Sequence, residues 1–553
     1  AYPEAVRHYK LALENIGTLA ASASADEHLR LANLLERLGE CARVLGNYEE
    51  ACGYFERTLK VREQYQQISS QLDARYEAQI DALLWIEVGR TWFDRRDNVR
   101  AMEKYNCAED MLHESGIDTG SAWASLRLQQ SYVLWQEGNF GQASQIAKQA
   151  LTMFENALAD HDHPVVDTFH STSIGRTLAG DPVDLGRTHT LLAAVAATVG
   201  ESTNALYHLN TALPIYEQQE RQREIAIVSG NIGDVYLRKA EHFLAQAAFR
   251  RSLGIAERIG DIQIMSADYG NLGVLSARFG NLIEAKDRYK QAVILAEQVN
   301  DPVYLSFLHC YLAITLQDQV KLEEAKKNLL KALKISRAMK FTPGIGFALV
   351  ALGHLRITQS LIIKGDTNNT SNAAKQHSSP TDLLFRAKTS LQYALALEGL
   401  EAETRTEGLL TLAQVTYLLG EIDNARQQTL QVINEAQHYE QVWLLACAQR
   451  LLGNILSMQG QYLEATTYFS QSLQILKECG MRLEWARTLR DYSEHILRRV
   501  HSDDGDCERA IEHLQEARQV FKESDAALDI ELVERALAVY ATPVEAAMHK
   551  RDR

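Results

Sequence analysis

From about residue 25 to residue 540, apolar residues recur three and four apart, the spacing that lines one face of a helix. The pattern is cleanest between Ser229 and Asp301, where one stretch is written twice. Asn231-Ile232-Gly233 matches Asn271-Leu272-Gly273, Ala245 matches Ala285, Phe249 matches Tyr289, and Gly260-Asp261 matches Asn300-Asp301, every pair 40 residues apart. Self-similarity at a fixed period is the signature of a repeat array. Within one unit, Ala267 to Phe279 is amphipathic, Gly280-Asn281 breaks the run, and Leu282 to Val299 is amphipathic again. Glycine and asparagine suit the left-handed conformation at a helix end. Gly273, Ala285, Tyr289 and Ala292 fall where two antiparallel helices meet, small residues admitting the neighbour and the aromatic filling what remains. No alternating Val/Ile/Thr stretch competes, so the pattern predicts helices throughout.

The second-helix alanine can be followed along the chain as Ala5, Ala51, Ala101, Ala143, Ala205, Ala245, Ala285, Ala325, Ala387, Ala425, Ala465 and Ala510. Most carry an aromatic residue or leucine four positions on, and many are preceded by a small first-helix residue 12 positions earlier, such as Gly39, Gly89, Gly233 and Gly453. Two gaps of 62 residues mark insertions, near 159–185 and 362–381. The second, KGDTNNTSNAAKQHSSPTD, is polar and aperiodic and reads as disordered. The domain reading is a repeat array over 1–528, a C-terminal capping helix over 529–542 and a tail over 543–553. Ala5, Tyr9 and Ala12 match a second helix with no first helix before it, so the first repeat reads as truncated and an upstream effector domain as missing.

This arrangement resembles the tetratricopeptide repeat, whose Leu-Gly and Ala-aromatic-Ala positions are matched by Leu272-Gly273, Ala285, Tyr289 and Ala292. The period is longer than that family's usual 34 residues. It is similar to the longer repeats of kinesin light chains, of Leu-Gly-Asn polarity adaptors and of the C-terminal sensor arms of bacterial STAND-type signal-transduction ATPases. The resemblance implies an all-α, right-handed superhelical solenoid of antiparallel helix pairs. It also implies a binding scaffold: the sensor or autoinhibitory arm of a multidomain ATPase or transcription regulator, or alternatively a free-standing peptide-binding adaptor.

Composition narrows the class without choosing within it. With 57 basic and 72 acidic residues the net charge is −15, which disfavours general nucleic-acid or anionic-membrane binding. No run of 18 apolar residues occurs, so no membrane span is expected. The 7 cysteines are scattered, without a C-x-x-C, as suits free thiols in the cytoplasm. His161, Asp162, His163, Asp167 and His170 crowd the first insertion but match no closed zinc site, and Asp503-Asp504-Gly505-Asp506 fails the calcium-loop spacing. No P-loop, G-x-S-x-G or H-E-x-x-H is present. The expectation is no enzyme, no cofactor and no metal. Lys321, Lys326, Lys327, Lys331, Lys334, Arg337 and Lys340 read as the solvated face of one helix.

A solenoid holds partners on its concave wall, so a protein, a peptide or an inducer ligand is expected there. On first helices the exposed face includes Asn231, Asp234 and Arg238, then Asn271 and Arg278 one repeat on, with His354 and Asn454 in the place of Asp234. Arginine forks a carboxylate and asparagine both donates and accepts. Charge reversal at Arg238 and Arg278 together is therefore expected to weaken a partner and spare the fold. The asparagines either meet that partner or tie neighbouring repeats together, and the resemblance to the longer-repeat adaptors implies the former.

Overall fold

The computed structural model describes residues 2–16, 23–68, 73–159, 173–178, 180–365, 379–499 and 504–551. Among these the secondary structure is entirely helical, with consecutive helices packed as antiparallel pairs. The histidine- and aspartate-rich segment 161–170 and the polar segment 366–378 lie outside the described residues, as does Asp503. The chain falls into two compact units, one of residues 1–196 and 207–221, the other of 197–206 and 222–553.

The second unit shows how the repeat works. Its seven inner helices are Gln222–Arg238, Ile262–Arg278, Pro302–Asp318, Thr342–Gly365, Ala402–Leu418, Val442–Met458 and Arg482–Leu497. Their outer partners are His242–Ile259, Leu282–Gln298, Leu322–Ala338, Pro380–Leu395, Ile422–His438, Tyr462–Glu478 and Asp504–Ser524, and a last helix runs Ala527–Arg551. That last helix starts two residues before the cap expected at 529–542 and runs unbroken to Arg551. Inner helices are buried on several sides: Ile262–Arg278 buries Ser266, Leu272, Gly273 and Leu275. Outer helices bury a single stripe, such as Ala285, Tyr289, Ala292 and Ala296, which is why their amphipathic pattern is the plainer one in sequence.

Turn chemistry sets the boundaries. Gly280 takes φ 85°, and Asn281 then caps the next helix by accepting from the Glu284 amide. Asp261 and Asp301 do the same for their helices, the latter with Pro302 in the first turn.

The small-to-large register holds in both units. Eleven of the alanines, Ala51 to Ala510, are 0% exposed. A Cβ on Gly273 would stand 2.7 Å from the Tyr289 ring, and one on Gly39, Gly89 or Gly233 would meet Phe55, Tyr105 or Phe249 as closely. Where the third repeat has Ser131 instead, its hydroxyl donates to the Ala143 carbonyl at 2.6 Å, so the polar atom is satisfied in the tight contact. The second insertion hides one more such pair, Gly353 against Leu391. Ala285→Leu should therefore overpack the pair and cost about 1–3 kcal/mol. A urea melt with an unchanged midpoint would refute the register.

One helix, Thr342–Lys364, is long and apolar enough to cross a membrane, although it contains no unbroken run of 18 apolar residues; 61% of its apolar window is buried between neighbouring helices. The basic residues from Lys321 to Lys340 all project from the outer face of their repeat into solvent. All seven cysteines are free.

Candidate functional site

The seven pairs of the second unit curl until the last meet the first. His242 Nδ1 lies 2.6 Å from the Cys479 carbonyl, Gln319 donates to Asp525 at 2.7 Å, and Arg487 reaches Asp318 at 2.6 Å. The concave side thereby wraps around a partly open cavity of about 840 Å³, within the range of small-molecule and cofactor sites.

The inner helices supply the lining through one repeated register. Asp234, Val274, Ile314, His354, Gln414, Asn454 and Glu494 face the cavity from corresponding positions. Of the residues expected at a binding wall, Asp234, Arg238, Arg278, His354 and Asn454 line it. Asn231 and Asn271 are half-buried and off the lining, one turn behind the others.

The two arginines already fork a carboxylate, and it belongs to the chain. Arg238 reaches Glu403 at 3.2 Å and Asp234 at 2.9 Å, with Glu401 at 3.6 Å. Arg278 reaches the same Glu403 at 2.9 Å, donates to the Leu237 carbonyl and lies 5.1 Å over the Trp443 ring. The Trp443 indole N–H donates to Glu403 at 3.0 Å. Glu403 thus ties the fifth inner helix to the first two, across 165 and 125 residues. Burial alone would raise its pKa, but Arg238 and Arg278 outweigh that and hold the carboxyl below its usual range. At Glu401 burial wins over Arg238, and the carboxyl is pushed up. The expectation that charge reversal at the two arginines spares the fold is therefore corrected: it would set two carboxylates against Glu403.

A second charged cluster closes the other end. Arg487 bridges Asp318, Glu484 and Asp529, and Arg490 joins Asp529 to Asp491 at 2.9 and 2.8 Å. Arg450 binds Glu484 at 2.7 Å, and Asn454 donates to Asp491 at 2.9 Å. Burial raises the Asp318 carboxyl despite Arg487, whereas Arg450 and Arg487 together overcome burial at Glu484 and lower it. Between the clusters runs an aromatic wall, with Tyr311 stacked on Tyr289 at 5.8 Å and tilted against Phe347 at 5.1 Å. His354 lies 3.4 Å from Glu407 and 2.9 Å from the Thr411 hydroxyl.

Sequence reasoning missed Glu401, Glu403, Trp443, Arg450 and the Arg487 cluster. Extending the register of Asp234 and Arg238 to the last repeat would have reached Glu494 and Arg498. Nothing local marks Glu403, which sits at the start of its helix rather than in the register.

The cavity holds binding groups, part-buried charges of which Glu403 and the Arg487 cluster are the most fully paired. Among the described residues no group of three or more His, Cys, Asp or Glu side chains is placed to hold a metal ion.

Among solved structures, the chain is similar to a Rap protein complexed with competence and sporulation factor, at TM-score 0.50 and 14% identity over 75% of this chain and 98% of that one. It is also similar to the apo form of RapI, at 0.38 and 16% over 59% and 98%, and to BtubC (BKLC) of P. vanneervenii, at 0.29 and 18% over 49% and 93%. The first likeness shows a shared fold: the chain is an all-α solenoid of helical repeats. No protein-family model and no curated protein matches it.

Proposed function

We propose that this chain is a binding scaffold whose second unit encloses a peptide or small inducer ligand, and that it serves as the sensor arm of a signal-transduction ATPase or transcription regulator. One observation carries the reading. The cavity is spanned by ion pairs between repeats distant in sequence, so whatever enters it acts on the contacts that draw the unit together. A ligand that prefers one degree of closure then shifts the unit between states, which is what a sensor requires. An adaptor holding an extended peptide needs an open groove, and the Glu403 clasp crosses that path. The Rap protein of similar fold was solved in complex with a factor, which supports occupancy of such a scaffold by a ligand. In this reading Asp234, His354 and Asn454 meet the ligand, Arg238 and Arg278 work the clasp, and Asn231 and Asn271 bind the stack together.

The test uses Ile314, which is half-buried and faces the void. Ile314→Trp fills empty space, so the melting temperature should stay within a few degrees. Thermal shifts produced by hits from a peptide and metabolite screen should vanish in it. Hits that survive the tryptophan would place binding elsewhere. The sensor assignment predicts that nucleotide hydrolysis or DNA binding by a protein carrying this chain as its arm changes when such a hit is added.

A further inference from the structure

We propose that the cavity of the second unit receives a cation, an ammonium or guanidinium group on a peptide or small amine, at the carboxylates of Glu401 and Glu407 beside the aromatic wall. This rests on the reading of the cavity as a ligand site.

Charge in the cavity does not balance at one end. Around the start of the fifth inner helix stand four carboxylates, Asp234, Glu401, Glu403 and Glu407, and two guanidiniums, Arg238 and Arg278. Among the described residues there, two negative charges are left without a cation, with His354 beside Glu407 the one further basic group. The far end is closer to balance, because Arg450, Arg487 and Arg490 interlock with its acids. Uncompensated carboxylates cost free energy when withdrawn from water, and a cationic guest recovers it.

The partners already made point the same way. Arg238 and Arg278 are engaged by Glu403, by Asp234 and by the Leu237 carbonyl. An anionic guest would have to break those bonds before making its own. Among the described residues Glu401 has only Arg238 as a cationic partner, at 3.6 Å, and Glu407 only His354, at 3.4 Å. Their remaining oxygen capacity faces a void large enough for a ligand. Burial pushes the Glu401 carboxyl up, as expected of an acid short of cations.

The aromatic wall supplies the third element. Tyr311 also lines the cavity and is held in place by Tyr289 and Phe347. Glu401 and Glu403 stand near enough to add to the burial that raises its hydroxyl pKa. A cation leaving water between carboxylates and aromatic faces gains from both, as it does over the face of a buried tyrosine.

The experiment uses the full chain and a library of tripeptides, acetylated and amidated to remove terminal charges. Members carry arginine or lysine at one position, and each has a citrulline or acetyl-lysine counterpart of the same shape. Binding is read by calorimetry against the natural protein, Ile314→Trp, Glu401→Gln and Glu407→Gln. The expected result is binding by cationic members, at least about tenfold weaker for their neutral counterparts. Glu407→Gln should erase that difference for the cationic peptide and leave the citrulline peptide unmoved. Glu401→Gln provides the same comparison if the first variant folds poorly. Citrulline or acetyl-lysine counterparts that bind as tightly, and are lost in Ile314→Trp, would overturn the cation assignment while the cavity remains a ligand site. Absence of any binder, or binding indifferent to Ile314→Trp, would overturn both readings.

Discussion

Replacing Glu403 by glutamine is expected to loosen the second unit more than any other single change at the cavity. The carboxylate is shared by two guanidiniums and an indole N–H, at 3.2, 2.9 and 3.0 Å, and its side chain is 18% exposed. Removing one member of a buried ion pair costs about 3–5 kcal/mol, because the partner charge stays behind unpaired. Arg238 keeps Asp234, and Arg278 keeps the Leu237 carbonyl and the Trp443 ring. The expected loss is therefore at the lower end, about 3 kcal/mol. It should be local in character: amides of Gln222–Arg238 and Ile262–Arg278 should exchange faster while the Leu322–Ala338 region changes little. Arg238→Glu with Arg278→Glu should do more damage still, since it adds repulsion to the loss. The lowered Glu403 pKa gives the same clasp a pH dependence. Its contribution is complete above the ordinary glutamate range and is lost as pH falls through the folded-state value. A Glu403→Gln protein with unaltered urea midpoint and exchange would shift closure onto the Arg487 cluster.

How much of this was legible in the sequence depends on the range of the interaction. Gly273, Ala285 and Tyr289 meet within 16 residues, so the small-to-large rule could be read along one chain segment and then carried through both units. Gly353 and Leu391 obey the same rule, but the inserted residues stretch the interval to 38 and conceal it. The cavity-facing register of Asp234, His354 and Asn454 was legible for a related reason: every inner helix presents the same face, so one position fixes the rest. The closure was not. Each repeat adds a small rotation, and the contact between Arg238 and Glu403 is the sum of those rotations over several pairs. Local propensity and spacing do not encode that sum, and so two arginines read as free to bind a partner proved to be bound within the unit. The asparagines illustrate the remaining ambiguity of a helix surface. One turn separates Asn231 from the lining, and the repeat pattern alone does not say on which side of the cavity's edge it falls.

Asp268 provides the second large effect, and it concerns a residue that breaks the pattern of its own repeat. It is 1% exposed on the inner helix Ile262–Arg278, where the neighbouring repeats carry buried Val228, Leu308 and Ala348. Ser252 and Gly230 flank it, and its Oδ2 atom has no hydrogen-bond partner. Burial raises the carboxyl from the ordinary 3.8 to about 7, with the Ser252 hydroxyl offsetting only part of the effect. The sign of the consequence follows from which state holds the proton. Between the unfolded and folded pKa values the folded chain retains a proton that the unfolded chain has released. Stability therefore falls as pH rises from about 4 to about 7, and above that the full penalty persists. At about 1.4 kcal/mol per pK unit, the penalty at pH 8 is on the order of 3 kcal/mol once some relaxation of the site is allowed. Asp268→Val installs the residue that the preceding repeat has in this place and removes both polar atoms. Ser252 keeps its bond to the Ala226 carbonyl at 2.9 Å, so no new orphan is made. The variant should gain about 3 kcal/mol at pH 8 and only about 1 kcal/mol at pH 5, where the folded side chain is still protonated but the unfolded one has already released its proton. Urea titrations of both proteins at the two pH values measure the difference directly. A natural protein equally stable at pH 5 and pH 8, with no gain from valine at either, would mean that water or an ionic partner reaches this carboxylate.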